Sequence, residues 1–412
     1  MSMTRKGLFF IVLFLASLVF TGCTFEISFF DEVMCVLLLV WGIKRHVLKN
    51  KVFQIIVLYV FAHLLFSLIF PENTLRAMLL ELLMYAKPFA CAVVLGAGYV
   101  TFPKKDYAFI RKILLFLLVF LFFDELLSLL GGNADAAMPS FFVYRKNLFL
   151  AASITIVTLF FVLVSNEWKN AFNRKVFFYS VPLLLTIPLT LQGKYNGFVL
   201  TYLIILFFSF GFFPKMQNGS LTNRRIYKCF FVFAFFLALV GALYVSFDDL
   251  NKYYFSNNDK EARNVLLYSL PSVLKGPFLI TGRGFASFCS PITQNYYPPH
   301  FLDEIGISSI WGLSRDFPNF MADAYSWSFL GTFGLVGFVL FFLFLVYLML
   351  PFVKLYKIKK LPARLFFVSV MCFLWICIFA FGSSLMYGYG PFVLIIWGIA
   401  RYEALCLLKV RL

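Results

Sequence analysis

Apolar residues run along this chain in long, nearly unbroken blocks, and polar residues collect in the short gaps between them. Crossing a hydrocarbon core takes about 20 mostly apolar residues per helix. That ruler marks twelve spans, near 7–23, 27–43, 52–70, 78–100, 113–130, 148–165, 176–192, 197–213, 229–246, 327–350, 366–382 and 391–408. The closely spaced first and last pairs also fit re-entrant segments. One gap differs from the rest: from Asp248 to Ser326 the chain is too polar for hydrocarbon, with eight acidic and six basic residues. The predicted fold class is all-α, a polytopic integral membrane protein of about 12 transmembrane helices. It forms a single integral membrane domain, 1–412, with loop 248–326 inserted before the tenth helix. No repeat of about 20 to 50 residues and no Gly/Ser linker divides it.

Composition agrees: 62% of the 412 residues are hydrophobic and 13% charged, against roughly 45 to 50% and 25% in soluble domains. The net charge of +17 would suggest nucleic acid in a soluble protein, but here its distribution points elsewhere. Lys and Arg gather in alternate gaps: Arg5 and Lys6; Lys44, Arg45, Lys49 and Lys51; Lys104, Lys105, Arg111 and Lys112; Lys169, Arg174 and Lys175. The series continues with Lys215, Arg224, Arg225 and Lys228, then Lys354, Lys357, Lys359, Lys360 and Arg364, then Arg401, Lys409 and Arg411, making 25 of the 36 basic residues. The positive-inside rule makes these gaps cytoplasmic. Both termini are then cytoplasmic and the 248–326 loop faces outward.

Met1–Cys23 has a basic head, an apolar run and Phe20-Thr21-Gly22-Cys23, loosely like a cleavable lipoprotein signal. Phe before Thr-Gly-Cys favours an uncleaved first span. The eight Cys show no metal-ligand spacing, and those inside apolar runs read as small buried hydrophobes. No metal or cofactor is expected. The 58 Phe are spread throughout and read as packing and lipid-facing residues.

Cations that this orientation places outside call for an account of their own. They are Arg76, Arg145, Lys146, Lys194, Lys252, Lys260, Arg263, Lys275, Arg283 and Arg315, with Lys87 inside the fourth span. Snorkelling or pairing with a nearby acid explains any one of them. Together, Arg145, Lys146, Lys194, Arg263 and Arg283 suggest a site for an anionic group, since guanidinium forks match phosphate oxygens. Lys194 sits in Thr190-Leu-Gln-Gly-Lys-Tyr-Asn196, a tight junction between spans.

Within the loop, Val265, Leu266, Leu270, Val273 and Leu274 line one helical face. That face suits either the bilayer surface or a core beneath the loop. Thr281-Gly-Arg-Gly-Phe285 reads as a plain turn or as a close backbone approach to a ligand. His300 is the only His assigned to the outside, and Asp303, Glu304, Asp316 and Asp323 are further candidates to take a proton. Asp323, just before the tenth span, is best placed for a membrane-borne substrate; a solvated carboxylate at a helix start is its ordinary reading.

These features resemble the O-antigen polymerase and ligase superfamily of bacterial envelope glycan assembly, with its dozen spans and late outward loop. Arg263-Asn-Val-Leu-Leu-Tyr-Ser-Leu-Pro271 running to Gly276-Pro-Phe-Leu-Ile-Thr-Gly-Arg-Gly-Phe285 is similar to the family's order of Arg, apolar helix, Pro and Gly-x-Gly, with a longer gap from Pro277 to Gly282. Asp323-Ala-Tyr-Ser-Trp-Ser-Phe-Leu-Gly-Thr-Phe-Gly334-Leu-Val-Gly337 resembles the segment leading into its Gly-x-x-Gly helix, and Gly193-Lys194 stands near its short Ser-Arg-Gly junction. Ligases usually carry a His where this chain has Asp323, so the resemblance favours a polymerase. It implies joining of polyprenyl-diphosphate-linked repeat units without a nucleotide sugar. Arg263, Arg283, Arg145 and Lys194 would hold the diphosphate, and Asp323 or His300 would act as base. Implied partners are lipid-linked glycans, membrane lipid and a chain-length regulator protein, with no nucleic acid. A ligase acting on a lipid or protein acceptor, and a transporter or flippase, are the rival readings.

Overall fold

The computed structural model describes residues 4–22, 29–130, 147–165, 172–189, 193–245, 262–318, 321, 325–380 and 389–409. Among them all regular structure is helical. Each predicted apolar run falls on a helix. The first seven are α1 (Arg5–Gly22), α2 (Phe29–Lys44), α3 (Lys51–Ile69), α4 (Leu75–Gly96), α5 (Lys104–Leu130), α6 (Asn147–Val164) and α7 (Phe172–Leu189). Then α8 (Gly193–Phe207) continues through a π-helical turn, Phe208–Phe212, into α9 (Phe213–Asn218), followed by α10 (Leu221–Val245). The polar loop carries α11 (Ala262–Val273), α12 (Phe278–Thr281), α13 (Pro291–Asn295) and α14 (Pro299–Glu304). The chain ends with α15 (Tyr325–Lys357), α16 (Ala363–Ala380) and α17 (Gly390–Lys409). Among the described residues five stretches are long and apolar enough to cross a membrane: Lys51–Ile69, Leu75–Gly96, Tyr195–Asn218, Ser328–Lys357 and Gly390–Lys409. This is the build of a helical membrane protein.

Two helices, α5 and α10, start well before their apolar runs, and polar side chains anchor these first turns. In α5, buried Asp106 accepts the Thr4 backbone N–H at 2.9 Å and the Thr4 hydroxyl, which ties this turn to the start of α1. In α10, Ser220 Oγ accepts from the Asn223 N–H at 3.3 Å, and Arg224 Nε donates to the Gly219 carbonyl at 2.9 Å.

Helix ends sort onto two faces. Arg401 on α17 donates to the Gly96 carbonyl at the end of α4 and, at 3.0 Å, to the Tyr347 carbonyl of α15, with its guanidinium 3.7 Å from the Tyr347 ring. Arg364, opening α16, reaches the Leu163 carbonyl of α6 at 2.5 Å and the Glu403 carboxylate at 2.8 Å. The end of α4, the end of α6, the start of α16 and the later turns of α15 and α17 therefore share one face. The opposite ends, Ile69 of α3 and Leu75 of α4, meet the polar loop, because Asn73 Nδ2 donates to the Ala286 carbonyl at 3.0 Å and to the Tyr296 carbonyl at 2.5 Å. The basic gaps at Lys354–Lys360 and Arg401–Lys409 thus lie away from the loop.

Helix α17 packs closely along α4 because glycines remove the side chains between them. A Cβ on Gly398 would come within 2.9 Å of the Ala92 carbonyl, and one on Gly96 within 3.2 Å of Arg401 Cδ, the small-residue contact expected between apolar helices. Lys87, charged inside the fourth predicted span, is explained by α2: it pairs with Asp31 and, at 2.6 Å, with Glu32.

The polar loop has a core of its own. Ala262, Leu266, Leu270 and Val273 of α11 pack with Phe288, Cys289, Phe301, Leu302, Ile307, Leu313 and Met321. Of the two roles the sequence allowed for this face, packing under the loop is the one realised, and the bilayer-surface role is not; Tyr268 projects outward instead. Replacing fully buried Leu266 by Ala should cost about 2–5 kcal/mol. Protease cleavage within 262–313 should then speed up while cleavage of the apolar helices does not; unchanged loop cleavage would show that this core does not hold the loop.

Candidate functional site

The loop meets the membrane helices at Gly282-Arg283-Gly284, and both glycines are required by backbone geometry. Gly282 has φ 70° and Gly284 φ 99°, conformations that side chains resist. A Cβ on Gly282 would strike the Thr332 carbonyl, and one on Gly284 would lie 2.7 Å from Ser67 Oγ. The Arg283 and Gly284 N–H groups donate to the Gly331 and Thr332 carbonyls at 2.9 and 3.1 Å. Helix α15 frees those carbonyls by breaking at Gly334, where φ is 62° and ψ −167°. Tyr59 Oη takes the Phe333 carbonyl at 3.1 Å, and a Cβ on Gly337 would crowd that hydroxyl at 2.6 Å. The backbone of Gly331–Gly334 is therefore the seat on which Gly-Arg-Gly is docked, and Gly337 makes room for the Tyr59 hydroxyl beside it.

Two groups on the membrane helices receive the next residues. Ser67 Oγ of α3 accepts the Phe285 N–H at 2.8 Å while donating to the His63 carbonyl at 2.8 Å. Fully buried Glu81 of α4 accepts the Ala286 N–H, with Ser290 beside it. Ala286 itself is left-handed, at φ 55°. An aromatic cluster closes the underside: His63 lies 4.8 Å from the Phe285 ring and 4.9 Å from Phe333, and Tyr85 lies 4.9 Å from Phe333.

Arg283 occupies the rim of this junction, its side chain 14% exposed. Nε donates to the Val273 carbonyl at 2.9 Å, and the guanidinium lies 4.0 Å from the Phe278 ring and 4.2 Å from Phe301. Such cation–π contacts hold the plane of the fork. Glu72 Oε1 stands 3.5 Å from Nη1, long for a charge-assisted bond, so an anionic oxygen can compete with it. Burial pulls Arg283 below the usual guanidinium range, opposed by the negative charges of Glu72 and Glu304; the group stays charged regardless.

The sequence-predicted residues fare differently. Arg283 is at the junction. Lys194 opens α8, Arg263 opens α11 and His300 opens α14, and for these three the backbone alone is described. Arg145 and Asp323 lie outside the described residues. Sequence reasoning missed Glu72, Ser67 and Glu81 as partners of the loop, and it treated His300 as the only His on the outward side. His63 is a further histidine at the loop end: it sits in the later turns of α3, buried beneath Phe285, and its Nε2 has no hydrogen-bond partner among the described residues. Its place near the loop end of the 52–70 run was the available signal.

An apolar groove runs down from the junction between α3, α4 and α15, enclosing about 180 Å³. Tyr59, Tyr85, Phe89, Phe285, Phe333 and Phe344 are among its walls. Strongly exposed Ile55 and Leu343 form its lip.

Fold and site together define an integral helical membrane protein whose polar loop is pinned to its apolar helices by a Gly-Arg-Gly turn. No family model matches this chain, and no curated protein matches it.

Replacing Glu81 by Ala leaves the buried Ala286 N–H without an acceptor, which should cost about 1–3 kcal/mol. Hydrogen exchange at residues 282–290 should accelerate in this variant; unchanged exchange there would mean that Glu81 does not hold the loop.

Proposed function

We propose that this chain polymerises polyprenyl-diphosphate-linked oligosaccharide repeat units into a surface polysaccharide at the periplasmic face of a bacterial inner membrane. In this reading it spans the membrane about twelve times with both termini in the cytoplasm. The carrying observation is Arg283, a preorganised guanidinium at the rim where the polar loop meets the apolar helices. A lipid-linked substrate reacts at that level, because its diphosphate cannot leave the interface and its tail cannot leave the bilayer. The clustering of basic gaps on the face away from the loop supports the loop's outward orientation.

The chemistry follows from the leaving group. As the donor sugar separates from its diphosphate, negative charge builds on the phosphate oxygens, and fixed cations lower the barrier when they need no rearrangement. Arg283 would supply one such cation, with Arg263, Arg145 and Lys194 as its partners. The groove beside Phe285 would seat the isoprenoid tail, whose burial is favourable by about 0.8 kcal/mol per CH₂. Asp323 or His300 would take the proton of the attacking hydroxyl.

Arg263→Ala in cells should leave the protein inserted and reduce chain elongation roughly 100-fold or more, so that envelope glycan carries a single repeat. Glycan of normal length in that variant would overturn the assignment. Asp323→Asn should behave alike if this carboxylate is the base, whereas unchanged chain length would assign the proton to His300. Long chains left on the carrier would indicate a ligase.

A further inference from the structure

The buried face of α5 changes character near its loop-side end. Ile110, Leu114, Leu118 and Leu121 form its inward stripe, each fully buried, and the same stripe then continues with Glu125 and Ser128, at 0% and 2% exposure. Among the described residues neither oxygen of Glu125 has a hydrogen-bond partner, nor does Ser128 Oγ. Four other positions bring hydroxyls to the same end of the bundle. Thr155 of α6 lies 3.0 Å from the Tyr195 hydroxyl at the start of α8, and Ser153 of α6 lies 3.3 Å from the hydroxyl of Tyr389, which precedes α17. Tyr195 is within electrostatic reach of both Glu125 and Tyr389.

An unpartnered carboxyl in an apolar interior is costly, and ionisable groups inside membrane helices mark binding sites more often than structural supports. Glu81 illustrates the structural alternative, since the loop supplies a backbone N–H to one of its oxygens. Among the described residues nothing satisfies Glu125. Beside the equally buried Asp124 next to it in the chain, the groups brought to this end of the bundle are hydroxyls, which both donate and accept; no cluster of three metal-ligating side chains occurs among the described residues, and the hydroxyl set matches vicinal sugar hydroxyls.

We propose that Glu125, with Ser128, Ser153, Thr155, Tyr195 and Tyr389, forms a second polar site that binds the hydroxyl groups of a sugar, Glu125 accepting two of their hydrogen bonds. This rests on the polymerase reading, in which the sugar belongs to the incoming lipid-linked repeat. The site draws on α5, α6, the start of α8 and Tyr389, whereas Arg283 stands where the loop meets α3, α4 and α15, so the acceptor sugar and the Arg283 junction would be served by different groups of helices.

The test uses the purified full chain in detergent, with carrier-linked glycan extracted from the source cells' membranes as the probe. Extract should raise the melting temperature of the wild type by about 3 °C or more. Glu125→Gln should melt at or above the wild-type temperature without extract, because the unpaired carboxyl is gone, and should lose the shift; Tyr389→Phe should reduce it. No shift in the wild type, a shift retained in Glu125→Gln, or a Gln variant that melts lower would each overturn the proposal. A shift produced by sodium chloride but not by choline chloride at equal ionic strength would overturn it in favour of a cation site. The polymerase reading fails separately: cells lacking the chain would make glycan of normal length, while a Glu125-dependent shift would still establish the sugar site.

Discussion

Everything on the loop side depends on one backbone-to-backbone contact, the Gly282–Gly284 turn against the broken start of α15. A helix in hydrocarbon normally keeps its carbonyls to itself, because an unsatisfied one costs several kcal/mol there. Here the break at Gly334 releases the carbonyls of Gly331, Thr332 and Phe333, and the loop and Tyr59 take them up. The break and the loop are thus mutually necessary: without the loop the carbonyls are orphaned, and without the break the turn has nothing to bind. Glycines at 282, 284, 334 and 337 are all consequences of this close approach, and Arg283 is held rigidly because the residues on either side of it are.

The opposite face uses side chains for the same purpose. Arg401 and Arg364 carry their guanidinium groups to carbonyls at the ends of α4 and α6 and in α15, joining helices that are far apart in sequence. One face is closed by glycine-permitted backbone contact and the other by arginine. The difference suits their sequences, since the basic residues that orient a membrane chain are already present on that second face.

Much of the fold was legible because membrane helices announce themselves by length and apolarity: all twelve runs became helices. The early starts of α5 and α10 were not, because Asp106 and Ser220 act through partners, Thr4 and Asn223, that a hydropathy window averages away. The site was legible in part. Gly-x-Gly and Gly-x-x-Gly stood out as motifs, but their mutual contact, across some fifty positions of sequence, did not. Glu72, Ser67 and His63 were hidden because their roles come from the loop folding back onto the end of α3 and the turn after it, and only the place of His63 near the loop end of the 52–70 run hinted at that return. Arg263 falls at the first turn of the helix that the sequence marks, whereas Lys194, read as a junction residue, and His300, read as a loop residue, each lie in the first turn of a helix.

Glu81 and Glu125 separate what a buried carboxylate contributes from what it costs. Each lies on the inward face of an apolar helix at 0% exposure, and from sequence they look alike. Glu81 has a backbone N–H aimed at it by a residue in a left-handed conformation, so the polypeptide itself supplies the partner and the group serves the fold. Glu125 has no such partner among the described residues, although α6 and α8 place hydroxyls at the same end that bond to one another instead. A chain under selection for stability alone would replace such a group with an apolar one, since that substitution is commonly neutral or stabilising. The proposed sugar would meet this cost by bringing to the loop-side end of α5 the hydrogen bonds that the described residues do not supply to Glu125.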